Sequence, residues 1–168
     1  MTDWTTLVIS SFAIIMPAYI ANSLPVLARG KHPIDFGRNF SDGRRILGDG
    51  KTFEGTVVGL FFGTLVGIAF TLLTASPTIY IFYSFMLSLG ALVGDMVGAF
   101  IKRRLNIARG APAPGLDQLD FVVGALLFLA PFYPLSWQQV VFVVLVTPPI
   151  HLFTNYLAYR LKLKANPW

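Results

Sequence analysis

Long apolar segments most strongly limit what this chain can fold into. We predict membrane spans at residues 4–28, 53–73, 78–101, 116–130 and 136–161, separated by polar loops at 29–52 and 102–115. A helix of about 20 apolar residues crosses a bilayer, and the fourth segment is the shortest because prolines follow it. Only 12% of the residues are charged and the mean hydropathy is +0.66, as in membrane proteins. The sequence therefore predicts an all-α integral membrane protein whose five transmembrane helices form a single transmembrane domain, 1–168.

The distribution of basic residues predicts the orientation of these spans. Of the thirteen Lys and Arg residues, six lie in 29–54, four in 102–109 and three in the tail from Arg160 to Lys164. In a five-span arrangement all of these positions fall on one side, which the positive-inside rule assigns to the cytoplasm. We therefore expect a multi-pass protein of the cell membrane with its N-terminus outside and its active site facing the cytoplasm. We interpret the net charge of +5 as anchoring at the lipid surface and expect no nucleic-acid partner.

The residue types that are present narrow the possible chemistry. The chain has no cysteine and two histidines, so a bound metal would need mainly carboxylate ligands, which suit Mg²⁺. The first loop alternates glycines with cations, a pattern that can wrap a polyphosphate. A basic loop attracted to anionic lipid explains the same pattern, and both interpretations stay open. The sequence GDGKT is not a P-loop, because Arg45 stands where that motif needs glycine.

Two series of glycines recur at every fourth residue in the second and third spans. Such spacing forms a groove along one helix face and lets helices approach closely in lipid. We predict that these two helices are inner packing elements. The glycines are Gly55, Gly59, Gly63 and Gly67 in one span, and Gly90, Gly94 and Gly98 in the other.

The stretch from Gly94 to Asp120 combines acids, cations and an apolar setting. Asp95 and Lys102 are seven residues apart, on nearly one helix face and about 10 Å apart along the axis. Asp117 and Asp120 are three apart and share a face where the fourth helix begins. Acids bordering hydrocarbon indicate a site, here carboxylates for Mg²⁺ beside cations for phosphates. The structural alternatives are that Lys102 reaches the surface while a neighbouring helix satisfies Asp95, and that the helix dipole favours Asp117.

The motifs GDMVGAFIKRR and PAPGLDQLD resemble the signature of the CTP:phosphatidate cytidylyltransferase family. SDGRRILGDGKTFEG, which follows Asn22 and Pro25, is similar to its archaeal branch, the CDP-archaeol synthases. The resemblance covers residues from about Asn22 to Asp120. The chain departs from the bacterial pattern at Pro114–Gly115, where that pattern has two glycines, and at Gln118, where it has a basic residue.

The resemblance implies an enzyme that transfers CMP from CTP to an archaeal unsaturated ether-lipid phosphate, digeranylgeranylglyceryl phosphate. The products would be CDP-archaeol and pyrophosphate, the cofactor Mg²⁺, and the partners CTP, the isoprenoid lipid phosphate and the bilayer. A homodimer is left open. We assign catalysis to Asp95, Lys102, Asp117 and Asp120, metal binding to Asp95, Asp117 and Asp120, and nucleotide or phosphate binding to Asn22, Arg44, Arg45, Lys51, Lys102 and Arg103.

Three other functions explain less of the sequence. A CDP-alcohol phosphotransferase needs Asp-Gly-x-x-Ala-Arg, and Ile46 and Leu47 stand where that motif needs Ala-Arg. A small transporter would place ionisable residues near the middle of the bilayer, often in repeated halves, and the sequence shows no repeat. A non-catalytic scaffold that binds anionic lipid explains the basic loops but leaves the paired acids of the fourth helix unexplained.

Overall fold

Five α-helices follow one another along the chain in the computed structural model, which describes residues 3–75 and 77–167. They are α1 (Trp4–Ser23), α2 (Phe53–Thr74), α3 (Ile79–Arg104), α4 (Leu116–Leu129) and α5 (Trp137–Arg160), with a 3₁₀ segment, Leu24–Ala28, directly after α1. In these residues the only β-type pairings are two isolated bridges in the first loop. The predicted all-α fold is confirmed.

Four of the helical segments are long and apolar enough to cross a membrane. They are α1 with its 3₁₀ extension, α2, α3 and α5. At 1.5 Å per residue the 14 residues of α4 extend about 21 Å, less than the ~30 Å hydrocarbon layer. The structure thus agrees with an integral membrane protein, while a fifth crossing and the orientation stay predictions.

Helix α3 is the centre of the bundle and packs against α1, α2 and α4. The glycine series explain how these helices approach so closely. A side chain on Gly94 would meet the backbone of Asp120 in α4, and one on Gly63 would meet Ser88 of α3. Both series therefore pack helices, as their spacing predicts. The prediction of two inner helices is confirmed for α3 and wrong for α2, whose buried residues are its four glycines alone, because the rest of its surface has no helix of the described chain against it.

Two helix boundaries differ from the predicted ones. The first span ends as an α-helix at Ser23 and tightens into a 3₁₀ turn, because Pro25 has no N–H for an α-helical bond. Helix α3 continues to Arg104, so Lys102 lies in its last turn rather than at the start of the second loop. Cations are favoured at a helix C-terminus by the backbone dipole, which accounts for this extension.

The polar segments between and after the helices meet at one end of the bundle. Arg104 pairs with Asp42 of the first loop at 3.0 Å, and its guanidinium lies 4.9 Å from the ring centre of Phe40. Asn166, beyond α5, donates a hydrogen bond to the carbonyl of Gly110 in the second loop at 3.1 Å. These contacts hold the two loops and the segment after α5 around one shared space.

Candidate active site

A cavity of ≈ 550 Å³ lies at this end of the bundle, bordered by the ends of the helices and by the polar segments. Residues from distant parts of the chain line it, and they include five of the predicted site residues. These five are Asn22, Lys51, Asp95, Lys102 and Asp117. The cavity thus gathers an amide, two ammonium groups and two carboxylates at one end of the helices.

An ion pair between Lys51 and Asp95 connects the first loop to α3. Lys51 precedes Thr52, whose hydroxyl caps α2 by accepting a hydrogen bond from the N–H of Gly55 at 3.2 Å. The Lys51 ammonium donates to Oδ2 of Asp95. The two side chains are 23% and 29% exposed, so a solute in the cavity can reach both.

A second lysine–aspartate pair connects α3 to α4. The Lys102 ammonium lies 2.5 Å from Oδ1 of Asp117. The other carboxylate oxygen of Asp117 accepts a hydrogen bond from the N–H of Ala113 at 2.8 Å. Asp117 therefore orders the second loop and also faces the cavity. Its position at the start of α4 is explained by these two contacts as well as by the helix dipole.

Asp120 lies deeper, between α3 and α4, and is not among the residues that line the cavity. Its Oδ1 accepts a hydrogen bond from the N–H of Phe121 at 2.6 Å. Its carboxylate packs against Gly98, where any side chain would collide with it. Asp95, on α3, is near enough for its charge to act on that of Asp120. The glycine series of α3 thus makes room for an acid as well as for a helix.

Three acidic side chains near the cavity are of the type that binds a divalent cation. Asp95, Asp117 and Asp120 supply only carboxylate oxygens, which suit Mg²⁺, and the repulsion of Asp95 and Asp120 favours a cation between them. Within residues 3–75 and 77–167, no three His, Cys, Asp or Glu side chains are close enough to hold a metal. The ammonium groups of Lys51 and Lys102 instead neutralise two of the acids. The residue types fit Mg²⁺, but the three carboxylates do not converge on one point, and the lysines are the groups that a bound cation would have to displace.

Comparisons with known proteins assign the chain to one family. The family described as CarS-like, CDP-archaeol synthase, matches residues 4–168. The CDP-archaeol synthase of Thermococcus kodakarensis is 49% identical over 171 residues, which cover 98% of this chain and 99% of that protein. This chain belongs to the CDP-archaeol synthase family. The synthases of Methanococcus aeolicus, 48% identical, and Sulfolobus acidocaldarius, 51% identical, cover 96% and 91% of this chain and 97% and 93% of their own lengths.

A solved structure shares the fold. It belongs to an intramembrane enzyme for archaeal membrane lipid biosynthesis and is 42% identical in sequence. The TM-score is 0.82, over 88% of this chain and 93% of that one. The resemblance to CDP-archaeol synthases that we based on residues Asn22 to Asp120 is thus confirmed and extends over nearly the whole chain.

In this member of the CDP-archaeol synthase family, the first loop folds around Asp35. This side chain is buried and accepts hydrogen bonds from the N–H groups of Gly37, Leu47 and Gly48 at 3.1, 3.0 and 2.9 Å. Arg45 adds two more, at 2.7 and 3.2 Å. Although burial alone would raise the pKa of Asp35, these bonds hold it well below its usual range. An aspartate two residues before a glycine is typical of an Asx-turn and could have indicated this role.

Three predicted phosphate-binding arginines lie outside the cavity lining. Arg45 is bonded to Asp35 and Asp49. Arg44 donates to the backbone carbonyl of Arg104 at 2.5 Å. Arg103 lies in the last turn of α3, and its Nε is buried. In the structure Arg44 and Arg45 shape the first loop, and phosphate binding by these arginines stays a prediction.

Several lining residues carried no motif in the sequence. They are Arg109 in the second loop, His151 and Asn155 on α5, and Lys164 beyond it. His151 and Asn155 are four residues apart and share a face of α5, where Asn155 Nδ2 lies 3.2 Å from the His151 ring nitrogens. Nothing in the sequence indicated that this face borders the site.

Gln118, the residue that departs from the bacterial pattern, has a structural role. Its side-chain oxygen accepts a hydrogen bond from the N–H of Gly115 at 2.5 Å, closing the first turn of α4. Gly115 has φ = +83°, a conformation that favours glycine. The Gly115–Gln118 pair thus fixes the entry into α4 and with it the position of Asp117.

Proposed function

We propose that this chain transfers CMP from CTP to an archaeal unsaturated ether-lipid phosphate, such as digeranylgeranylglyceryl phosphate, releasing pyrophosphate and forming CDP-archaeol. The observation that carries this proposal is the cavity with its two lysine–aspartate pairs, in a chain of the CDP-archaeol synthase family. The relatives bear that name, and their similarity extends over nearly the whole chain.

The reaction joins two anionic phosphates, so charge repulsion is its main obstacle. A phosphate oxygen of the lipid attacks the α-phosphorus of CTP and forms a new P–O bond. The bond from that phosphorus to the bridging oxygen breaks, and pyrophosphate leaves with the electron pair. The nucleophile belongs to the substrate, which agrees with a chain that has no cysteine.

The two lysines supply positive charge where the phosphates bind. Lys51 and Lys102 are each held by one carboxylate before the substrate arrives, so their ammonium groups lie at the cavity wall. Substrate phosphates compete with Asp95 and Asp117 for these groups, and the flexible lysine stems allow them to turn. Charge that develops on the leaving pyrophosphate is then stabilised by groups already in place.

Asp95, Asp117 and Asp120 would offer carboxylate ligands to Mg²⁺ once the lysines turn to the phosphates. Because the three do not converge on one point, one or two of them would hold the ion together with substrate phosphates. The bound ion would neutralise charge on the reacting phosphates. Within the chain, the acids keep their places because Asp117 is fixed by Ala113 and Asp120 by its packing on Gly98.

We further propose that all five helices cross the cell membrane, with the N-terminus outside and the cavity facing the cytoplasm. The support is that both polar loops and the segment after α5 meet at one end, which carries all the basic residues. Single cysteines introduced at Asp3 and at Lys31 in this cysteine-free chain test it. In intact cells an impermeant maleimide should label the first and not the second, and equal labelling of both would contradict the orientation.

The function is tested by the formation of CDP-lipid from labelled CTP by the purified protein in detergent. We expect turnover with the ether-lipid phosphate and Mg²⁺, and loss of turnover when EDTA removes the ion. An ester-linked lipid phosphate in parallel measures lipid selectivity. Folded protein that converts neither lipid would exclude the enzyme and favour a lipid-binding scaffold or a transporter. Turnover that continues in EDTA would contradict the Mg²⁺ requirement and leave the rest of the proposed function intact.

A further inference from the structure

The segment after α5 folds back towards the cavity through a defined turn. The N–H of Leu163 bonds to the carbonyl of Ala158 at 2.9 Å, and the N–H of Lys162 bonds to that of Tyr159 at 2.9 Å. Lys162 has φ = +58°. This pair of bonds with a left-handed residue is the Schellman arrangement that ends many helices. The turn reverses the chain, so Lys164 lies beside α5 rather than beyond it.

Two hydrogen bonds hold the reversed segment in place. Lys164 Nζ donates to the side-chain oxygen of Asn155 on α5 at 2.9 Å. Asn166 donates to the carbonyl of Gly110 at 3.1 Å and so connects the segment to the second loop. Both Lys164 and Asn166 line the same cavity as Lys51 and Lys102. The segment is therefore one wall of the candidate active site.

Lys164 interacts with the charged groups of the site. Burial lowers the pKa of this lysine. The negative charges of Asp95 and Asp117 oppose that shift, and the positive charges of Lys51 and Lys102 add to it. Its bond to Asn155 fixes the position of the ammonium at the cavity wall. A cation held at a partly desolvated wall attracts phosphate more strongly than one in open water.

The charge of the whole lining favours an anion. The basic side chains at the cavity are Arg29, Lys51, Lys102, Arg109 and Lys164, and the acidic ones are Asp49, Asp95 and Asp117. Positive charge is therefore in excess before any substrate enters. Without Lys164, the α5 side of the cavity would offer the phosphates only His151 and neutral groups.

We propose that Lys164 binds a substrate phosphate, presented by the folded-back segment and positioned by Asn155 and Asn166. This inference rests on the proposed function and adds a phosphate-binding residue to that site. The phosphate belongs either to CTP or to the lipid, and both offer the same acceptor oxygens to the ammonium.

The test compares Lys164→Met with Lys164→Arg and with the control Lys162→Gly. The control removes a charge two residues away and suits the left-handed backbone there. The KM for CTP is measured at saturating lipid phosphate, and the KM for lipid phosphate at saturating CTP. Losing a hydrogen bond to a charged group should raise the KM for the bound substrate roughly tenfold or more in Lys164→Met. Arg should restore most of the affinity, and Lys162→Gly should match the wild type.

The substrate whose KM rises identifies the phosphate that Lys164 holds. Unchanged values of both KM in Lys164→Met, or a change in kcat alone, would overturn the inference while leaving the proposed function intact. If Lys164→Met fails to fold, Asn166→Ala loosens the same segment, and we expect a rise in the same KM of roughly threefold. No rise in that variant would then overturn the inference.

Calorimetric binding of inorganic pyrophosphate separates this inference from the proposed function. If the wild-type protein shows no turnover, the proposed function fails, and the pyrophosphate affinities of the wild type and Lys164→Met still decide the role of Lys164. Inorganic phosphate, titrated in parallel, stands for the lipid phosphate. Weaker binding of either anion in the variant supports the role, and equal binding of both, or no binding of either to the wild type, overturns it.

Discussion

The first loop and the cavity each hold aspartates paired with a basic side chain, but the surroundings differ. Asp35 has a side chain only 1% exposed, and three backbone N–H groups and Arg45 use its acceptor capacity. Asp117, paired with Lys102, is 17% exposed, and Asp95, paired with Lys51, is 29% exposed. A carboxylate whose oxygens are all used by its own loop stabilises that loop. A carboxylate whose one basic partner is a lysine at a cavity wall can exchange that lysine for a ligand.

The largest effect that this comparison predicts is on catalysis. Asp117→Asn and Asp120→Asn should each lower turnover by at least about 100-fold, because an amide neither holds a divalent cation well nor carries the charge. Thermal unfolding in detergent should change little. Asp3→Asn, a matched change on an exposed residue at the first helix, should keep full activity. Wild-type turnover in both site variants would remove the metal-site assignment.

The next effect is on stability and concerns Asp35→Asn. Removing one partner of a buried ion pair typically costs about 3 kcal/mol, and the amide also loses acceptors for the loop N–H groups. We expect the first loop to be cut by protease at much lower protease concentration than in the wild type, whereas Asp117→Asn should leave its cleavage unchanged. Resistance equal to that of the wild type would show that Asp35 does not hold the loop.

The smallest effect is the pH dependence of the same loop. The pKa of Asp35 is lower in the folded loop than its usual value of 3.8, so its ionised form stabilises the folded loop. That stabilisation is fully present above pH 3.8 and is lost as the pH falls towards the lowered pKa. Hydrogen exchange at Leu47 and Gly48, corrected for intrinsic rates, should be constant from pH 7 to pH 5 and accelerate only below about pH 4. In Asp35→Asn the acceleration should be absent, and a change near pH 6 would contradict this origin.

The sequence predicted more of the helices than of the loops because hydrocarbon imposes a simple rule on composition. Apolar length located all five helices to within a few residues, and glycine spacing indicated which faces pack. The end of α3 was missed because Lys102 and Arg104 resemble a loop in composition, while the helix dipole favours them in a last turn.

Arg45 and Lys51 show where prediction from the sequence stopped. Both are basic residues of one glycine-rich loop, and the same argument assigned phosphate binding to both. The folded loop separates them, because Asp35 holds Arg45 while Lys51 reaches α3 and the cavity. Only the partner across the fold distinguishes the two, and no local pattern contains it.

By itself, the sequence determined an integral membrane helical protein, the family to which it belongs, and the candidate acids Asp95, Asp117 and Asp120. These depend on composition and on spacing within single helices. The tertiary structure decided which residues share the cavity, including Lys164, which is 113 residues from Lys51 in sequence. The physical reason is that a helix fixes neighbours three or four residues apart, whereas a cavity is formed by segments that meet only after the helices pack.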